Sequence, residues 1–330
     1  MREPERTTIH DVARAAGVSH QTVSNVLNGT GRVGAATRAR VTEAIAELQY
    51  RPHAGAASLR TRRTSRLAYP LAAGDLGPMN TIMLEFIEAL TSAAGRHGQH
   101  LVLAAGDDGL EQLLRAGAAD AVVLANVARH DERVAELTRR GVPFACFGRT
   151  EPGQPQSWVD VDDRAGVRGL TAQLIEAGHT RLAFLGYAPQ GRWDDEREAG
   201  FREAVSAAGL AARVSTPDVA RPVVRAAIDD LLDASPTAVV TGSDVLAGTV
   251  YAAAAQRGLR VGADLAVTGF DGSMVGRLLT PALTTLAIPT AEVAARVVAR
   301  ALAEIDGHTG EPGELLIPEL VRGESSGRWA

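Results

Sequence analysis

The stretch TIHDVARAAGVSHQTVSNVLNG, residues 8–29, holds two helix starts on either side of a stop. Thr8 and Asp11 have the form of a capping box: the hydroxyl accepts from first-turn N–H groups and the carboxylate three residues on reaches back. Ala13, Ala15 and Ala16 sustain the helix, and Gly17 ends it. Ser19 and Thr22 then mark a second start, two residues beyond that glycine. On this second helix Val23, Val26 and Leu27 form a buried stripe at i, i+3 and i+4, leaving His20, Gln21, Ser24 and Asn25 on the opposite surface. Two short helices in a tight turn with a hydrogen-bonding outer face predict a helix-turn-helix, whose second helix enters the major groove of DNA. Gln21 is the expected base reader, because a carboxamide pairs bidentately with adenine N6 and N7, and Asn25 carries the same chemistry. His20 donates or accepts at a base or phosphate, while Thr22, Asn28 and Arg32 are expected to grip the backbone. A third helix over about 36–49 closes a small core with Val41, Ile45 and Leu48, and places Thr37 in its first turn as a phosphate contact.

Charge supports this reading. Residues 1–66 hold 11 Arg against five acids, a net of +6, whereas residues 67–330 hold 23 Arg against 34 acids, a net of −11. Phosphate neutralisation by Arg releases counterions, so the basic head suits a polyanion that the acidic body repels. A chain of 330 residues with 45% apolar and 22% charged side chains is long enough for more than one core and is globular throughout. The single cysteine, Cys146, sits in the apolar run Phe144-Ala145-Cys146-Phe147, which excludes an intramolecular disulfide framework and points to a reducing cytoplasm. The start MREPERTTIHDV has no apolar leader segment and no run approaches the length of a membrane span, so the expectation is a cytoplasmic chain without membrane contact.

Downstream, Pro52 pushes its predecessor out of the helical region and ends the third helix's register. His53 to Leu59 is rich in Ala and able to form a helix, yet too short to be stable alone in water. Arg60, Arg62, Arg63 and Arg66 follow as a basic exit. From Leu67 the period changes. Apolar runs at 101–105, 121–125, 144–148, 181–186, 238–242 and 265–270 read as parallel strands, with helices expected at 82–97, 131–140, 166–177, 195–208, 222–234 and 246–257. This alternation predicts a doubly wound α/β body that binds ligands at the carboxyl ends of its strands.

With the further segments TRARVTEAIAELQYRPH (37–53), ASLRT (57–61), WVDVDDRAG (158–166), LIEAGHTRLAFLG (174–186), DDEREAGFREAV (194–205), TGSDVLAG (241–248), VTGFDGS (267–273) and LTTLAIP (283–289), the chain resembles the LacI/GalR family of transcriptional regulators. The resemblance implies an α/β chain in three parts. An all-α helix-turn-helix head occupies 1–51, and a hinge helix and linker occupy 52–66. A two-lobed, doubly wound body like a periplasmic sugar-binding protein occupies 67–330. Its N-lobe is expected at about 67–161 and 291–318 and its C-lobe at about 166–288 and 320–326, with crossovers near 161–166, 288–291 and 318–322.

The resemblance also implies that His20, Gln21 and Asn25 are the readers. Two hinge helices, one from each subunit, would fold together in the minor groove, with Leu59 as the wedge between base pairs and Ala56 one turn before it. Gly55 departs from the usual hinge and weakens the helix by about 1 kcal/mol. In the body, Arg197 and Asp271 match effector-contacting positions. An Arg fork suits a hydroxyl pair or carboxylate, and an ionised Asp accepts from sugar hydroxyls. Trp193, four residues before Arg197, is placed to stack on a sugar ring or to pack, and Asp162 and Asp244 are further candidates. Ile82 and Met83 stand where relatives often have aromatics, and Ile288 where they often have Gln, so Met83 is expected on a less polar side of the pocket.

Other classes find little support. The sequence has no GxxxxGK[ST], no GxGxxG after a strand, no GxSxG and no HExxH, and its eight His and one Cys show no ligand spacing. No cofactor, metal or catalytic residue is expected. The expectation is a homodimeric repressor of a pseudo-palindromic double-stranded DNA operator, controlled by a small-molecule effector such as a sugar in the interlobe cleft. The alternatives are an architectural DNA-binding protein without an effector and an α/β enzyme fused to a DNA-binding head.

Overall fold

The computed structural model describes residues 7–27, 30–50, 63–72, 80–188, 191–218, 221–308 and 313–327, and the chain divides into two compact units, Met1–Thr64 and Ser65–Ala330. In the first unit α1 (Ile9–Ala16) begins with the capping box: Thr8 accepts from the Asp11 amide, and the Asp11 carboxylate accepts from the Thr8 amide at 2.9 Å. Gly17, at φ 62°, ends it in the left-handed conformation that a β-carbon disfavours. α2 (His20–Leu27) starts where the Thr22 amide donates to Ser19 Oγ at 3.1 Å, and α3 (Ala35–Glu47) lies across both. Val12, Ala13, Ala16, Val23, Val41 and Ala44 make the buried core, with Val26, Leu27, Ile45 and Leu48 half-buried around it. The Thr7 hydroxyl donates to the Leu48 carbonyl at 3.3 Å, tying the start of α1 to the end of α3. Asn28, Ala56, Leu59 and the hinge helix expected at 53–59 lie outside the described residues.

The second unit runs β1 (Arg66–Leu71), α4 (Ile82–Arg96), β2 (His100–Ala105), α5 (Gly106–Arg115), β3 (Ala121–Leu124), α6 (Glu132–Arg140), β4 (Phe144–Phe147) and β5 (Trp158–Val161). It continues through α7 (Asp163–Glu176), β6 (Leu182–Leu185), α8 (Arg192–Ala207), β7 (Arg213–Ser215), α9 (Arg221–Asp233), β8 (Ala238–Thr241) and α10 (Asp244–Gln256). The last described elements are β9 (Ala266–Asp271), α11 (Met274–Leu278), β10 (Thr284–Ala287), α12 (Thr290–Ile305), β11 (Glu314–Leu316), β12 (Glu319–Val321) and a 3₁₀ turn at Glu324–Ser326.

The strands form two six-stranded sheets, ordered β11-β5-β4-β3-β1-β2 and β12-β10-β9-β8-β6-β7. The first is parallel throughout, and in the second only the β10–β12 pair is antiparallel. Parallel pairing with helices on both faces buries the strands, and β3, β6 and β8 are buried at every position. The chain passes from the first sheet to the second after Val161, returns after Ala287 into α12, which packs on α4, β3 and β4, and crosses again between Leu316 and Glu319. Tyr69, Phe86 and Phe147 stack in the first lobe and Phe184 on Phe201 in the second, with ring centres 4.9–6.4 Å apart.

In the second lobe α7 and α8 press together at Gly200, where a β-carbon would collide with the Arg164 carbonyl oxygen and approach the Arg168 nitrogen to 3.0 Å. The buried face of α8 is Arg197, Gly200, Phe201, Ala204 and Val205, a helical i, i+3, i+4, i+7, i+8 stripe with one cation in it. No helix among the described residues is long and apolar enough to cross a membrane.

Candidate DNA-reading face and interlobe cleft

On the head, His20 and Gln21 are exposed at the start of α2, Thr22 and Asn25 are half-buried, Arg32 is exposed, and Thr37 is half-buried in the first turn of α3. Gln21 Nε2 donates to Asn25 Oδ1 at 3.1 Å, so the two carboxamides hold each other at the helical i, i+4 spacing. Thr22 Oγ1 is hydrogen-bonded with Ser19 Oγ at 2.9 Å. Gly31, at φ 77°, carries the following loop past Asn25, whose Nδ2 would lie 3.0 Å from a β-carbon there. The polar face is therefore braced from behind while its tip is open.

In the body, Tyr187, Gly242 to Asp244 and Asp271 gather at the carboxyl ends of β6, β8 and β9, and α8 brings Arg197 to them. Arg197 is buried: its Nε donates to Asp163 Oδ1 at 2.8 Å and its Nη1 to the Gly242 carbonyl at 2.6 Å. Its guanidinium carbon sits 3.7 Å from the centre of the Phe270 ring, a cation–π contact. Asp271 Oδ1 lies 3.9 Å from Nη1. Asp271 holds φ at 110°, a conformation costly for a residue with a β-carbon and kept only where neighbours impose it; the Ile288 amide donates to its carbonyl at 3.1 Å. Burial pushes its carboxyl well above the ordinary range against the pull of Arg197, and the charges of Asp244 and Asp163 push the same way. The Tyr187 hydroxyl shares a hydrogen bond of 3.1 Å with Ser243 Oγ, and burial raises its pKa to about 12.

The other expected ligand residues stand differently. Asp244 is fully buried and accepts from the Ser273 amide at 2.6 Å, from Ser273 Oγ at 3.1 Å and from Thr285 Oγ1 at 2.6 Å, so it braces the β8, β9 and β10 ends from inside. Asp162 caps α7, accepting from the Ala165 amide at 2.9 Å. Met83, expected to line the pocket, is instead 2% exposed and packed in the N-lobe core with Tyr69 and Phe86, because the inward stripe of α4 claims it. Trp193 is half-buried with its ring over Gly191, at the residue that bridges to Ala128 of the first lobe. Asp163, Tyr187, Arg149 and Asp160 belong to this cluster and escaped the sequence reading. Asp163 stands inside the quoted WVDVDDRAG, and the doubled acid at a crossover was the signal available.

The lobes are also joined by charge. Arg192 of the second lobe meets Glu151 of the first at 3.1 Å, Arg149 of the first donates to Glu196 of the second at 3.4 Å, and Arg129 pairs with Asp195. Arg277 pairs with Glu85 at 2.8 Å, a further link between the second lobe and the first. Arg149 also lies 3.3 Å from Asp160, whose carboxyl is pushed up to about 7 by burial and by Asp163 while Arg149 opposes the shift.

Because the folded chain holds the Asp160 proton where the unfolded chain has released it, this contribution to stability is full below the unfolded value and is lost as pH rises through 7. Asp163, Asp244 and Asp271, also raised, act with the same sign, whereas lowered carboxyls such as Asp131 and Asp264 act only in more acid solution. The melting temperature is therefore expected to fall between about pH 5 and pH 8, with Asp160→Asn showing a shallower fall. Calorimetric scans across that range check this, and equal slopes for the two proteins would contradict it.

No group of three or more His, Cys, Asp or Glu side chains among the described residues is placed to hold a metal ion. Comparison with known proteins agrees with the geometry. Residues 8–53 match the family described as bacterial regulatory proteins, lacI family, and residues 171–326 match the periplasmic binding protein-like domain. The chain is 34% identical to the HTH-type transcriptional regulator CelR of Thermobifida fusca, over 99% of its own length and 100% of CelR. Among solved structures it is similar to a transcriptional regulator CelR–cellobiose complex, with a TM-score of 0.71 and 33% identity over 97% of this chain and 100% of that one. It is also similar to the lac repressor dimer bound to operator and the anti-inducer ONPF, with a TM-score of 0.84 and 25% identity over 98% of this chain and 100% of that one.

Proposed function

The chain belongs to the LacI family of bacterial regulatory proteins, and from that membership we propose that it is a cytoplasmic repressor binding a pseudo-palindromic operator as a homodimer. It is a DNA-binding transcriptional regulator and not an enzyme, as its named relatives are. The effector we propose is an uncharged sugar in the interlobe cleft, with Arg197 and Asp271 as its principal contacts and Trp193 as a stacking face. The observation that carries this is the Arg197–Asp271 pair, a donor fork held over Phe270 beside a carboxyl group at the strand ends. Arg129, Arg149, Arg192 and Arg197 are each paired with carboxylates, which leaves an anionic ligand poorly served. The cellobiose bound by the CelR structure is of the same uncharged class.

The dimer reading is supported by Leu84, Met274 and Leu278, exposed at 56%, 63% and 76%, which flank the Glu85–Arg277 link and offer a second copy an apolar face on both lobes. Leu59 is proposed as the minor-groove wedge and Asn28, Arg32 and Thr37 as backbone contacts. A ligand that favours one lobe arrangement by about 1–3 kcal/mol changes operator affinity about 5–150-fold.

The test is a mobility shift of the full chain on the DNA upstream of its own coding sequence, with cellobiose and other neutral sugars as effectors. Gln21→Ala is expected to cost about 1–3 kcal/mol of discrimination at one base pair in each half-site while nonspecific binding stays nearly constant. Equal loss on every sequence would remove Gln21 from the reading role. Failure of every neutral sugar, with release by a phosphorylated or carboxylated one, would overturn the effector class.

A further inference from the structure

The first helix carries an exposed imidazole that the recognition helix alone does not account for. His10, the second residue of α1, and His20, the first of α2, are both exposed, and their rings lie 5.3 Å apart, centre to centre, with planes at 48°. We infer that His10 is a specificity-determining residue, which holds the His20 ring in its reading position and makes base preference there a property of the imidazole pair. This rests on the proposed role of α2 as the reading helix.

The pair is supported from both sides. α1 is fixed by its capping box, by Gly17 and by the Thr7–Leu48 hydrogen bond, and its inner face, Val12, Ala13 and Ala16, is buried in the core of the head. The position of His10 is therefore set by the fold. Asp11, the nearest acid in sequence, accepts from the Thr8 amide and hydroxyl and lies 3.3 Å from Arg14, so its charge is committed to the cap and to that guanidinium. Beside His20, Gln21 is held by Asn25. An exposed histidine at a helix start otherwise samples several rotamers, and a tilted ring pair restricts them. An imidazole offers one donor and one acceptor at fixed angles, so restricting its ring selects which base edge it satisfies.

The experiment selects duplexes from a randomised pool with the full-length chain and sequences the bound fraction, for wild type, His10→Ala, His20→Ala, the double variant and His10→Phe. His20→Ala and His10→Ala are expected to relax preference at the same base pair, the latter by about fivefold. The double variant should be no worse than His20→Ala, and His10→Phe, which keeps a ring against His20, should retain most of the preference. An unchanged profile in His10→Ala, an even loss on all sequences, or a change at a different base pair that adds to that of His20→Ala would each overturn the inference. If His20→Ala has no effect while Gln21→Ala does, the pair is refuted and the recognition helix stands. If neither alters preference, the reading of α2 itself has failed.

Discussion

Arg197→Ala is expected to lower the stability of the body by about 3–5 kcal/mol and to abolish the response to effector, because it strands a buried acid. Asp163 is 3% exposed and its carboxylate takes the Arg197 Nε–H at 2.8 Å; without the guanidinium it keeps the desolvation cost of burial, loses its hydrogen-bonded cation and has only the weaker pull of Arg149 against it. The Gly242 carbonyl loses its donor at the same time, and Phe270 loses the cation on its ring. A second variant separates the structural from the binding role. Replacing both partners, Arg197→Met with Asp163→Leu, removes the unpaired charge and is expected to recover much of the stability, since an apolar pair of similar volume is often neutral or better. It cannot recover the donor fork. Melting curves with and without a ligand identified by the mobility shift therefore distinguish the cases: full ligand-induced stabilisation in the double variant would show that Arg197 only holds the fold together.

Gly200→Val should be nearly as damaging, at about 3 kcal/mol or more, the upper end of what overpacking costs. The atoms that a side chain would meet are the carbonyl of Arg164 and the nitrogen of Arg168, both backbone, so no rotamer change makes room. The helices must part, and α8 carries Arg197 and Trp193, so the same substitution is expected to weaken effector binding without touching the ligand. Gly169, on the facing helix, has nothing within 4 Å of a β-carbon, and Gly169→Ala is expected to be neutral or stabilising by up to about 1 kcal/mol through helix propensity. Thermal denaturation of the two variants side by side checks this, and equal melting temperatures would refute the close approach.

The legible part of the structure was the part with local rules. The Thr8–Asp11 capping box and Gly17 appear where their spacing put them, and the apolar runs at 121–125 and 238–242 became the buried strands β3 and β8. What stayed hidden depends on distant partners. β5 contains Asp160, buried opposite Arg149, and a strand with an inward acid does not read as an apolar run. β7, β11 and β12 have three residues each and exist because a sheet edge receives them. α5 opens with Gly106-Asp107-Asp108-Gly109, turn chemistry that disguises a helix start. α12, with Val293, Val297 and Ala301 on one face, is legible from its period although it follows directly on the crossover at 288–291. In the cleft, Arg197 and Asp271 were reached through family resemblance, whereas Asp163 and Tyr187 join them only through packing, and Met83 was drawn the other way into the core.

The way the two sheets are finished has a consequence for synthesis. The first sheet receives its edge strand β11 from residues 314–316, and the second receives β12 from residues 319–321. Neither lobe can complete its sheet until residues 314–321 have left the ribosome, whereas the core of the head is drawn entirely from residues 9–50. At about 5–20 residues per second, the growing chain carries a finished head for many seconds before the body can close. Nascent molecules thus pass through a stage at which the core of the head is finished and both sheets of the body still lack an edge strand.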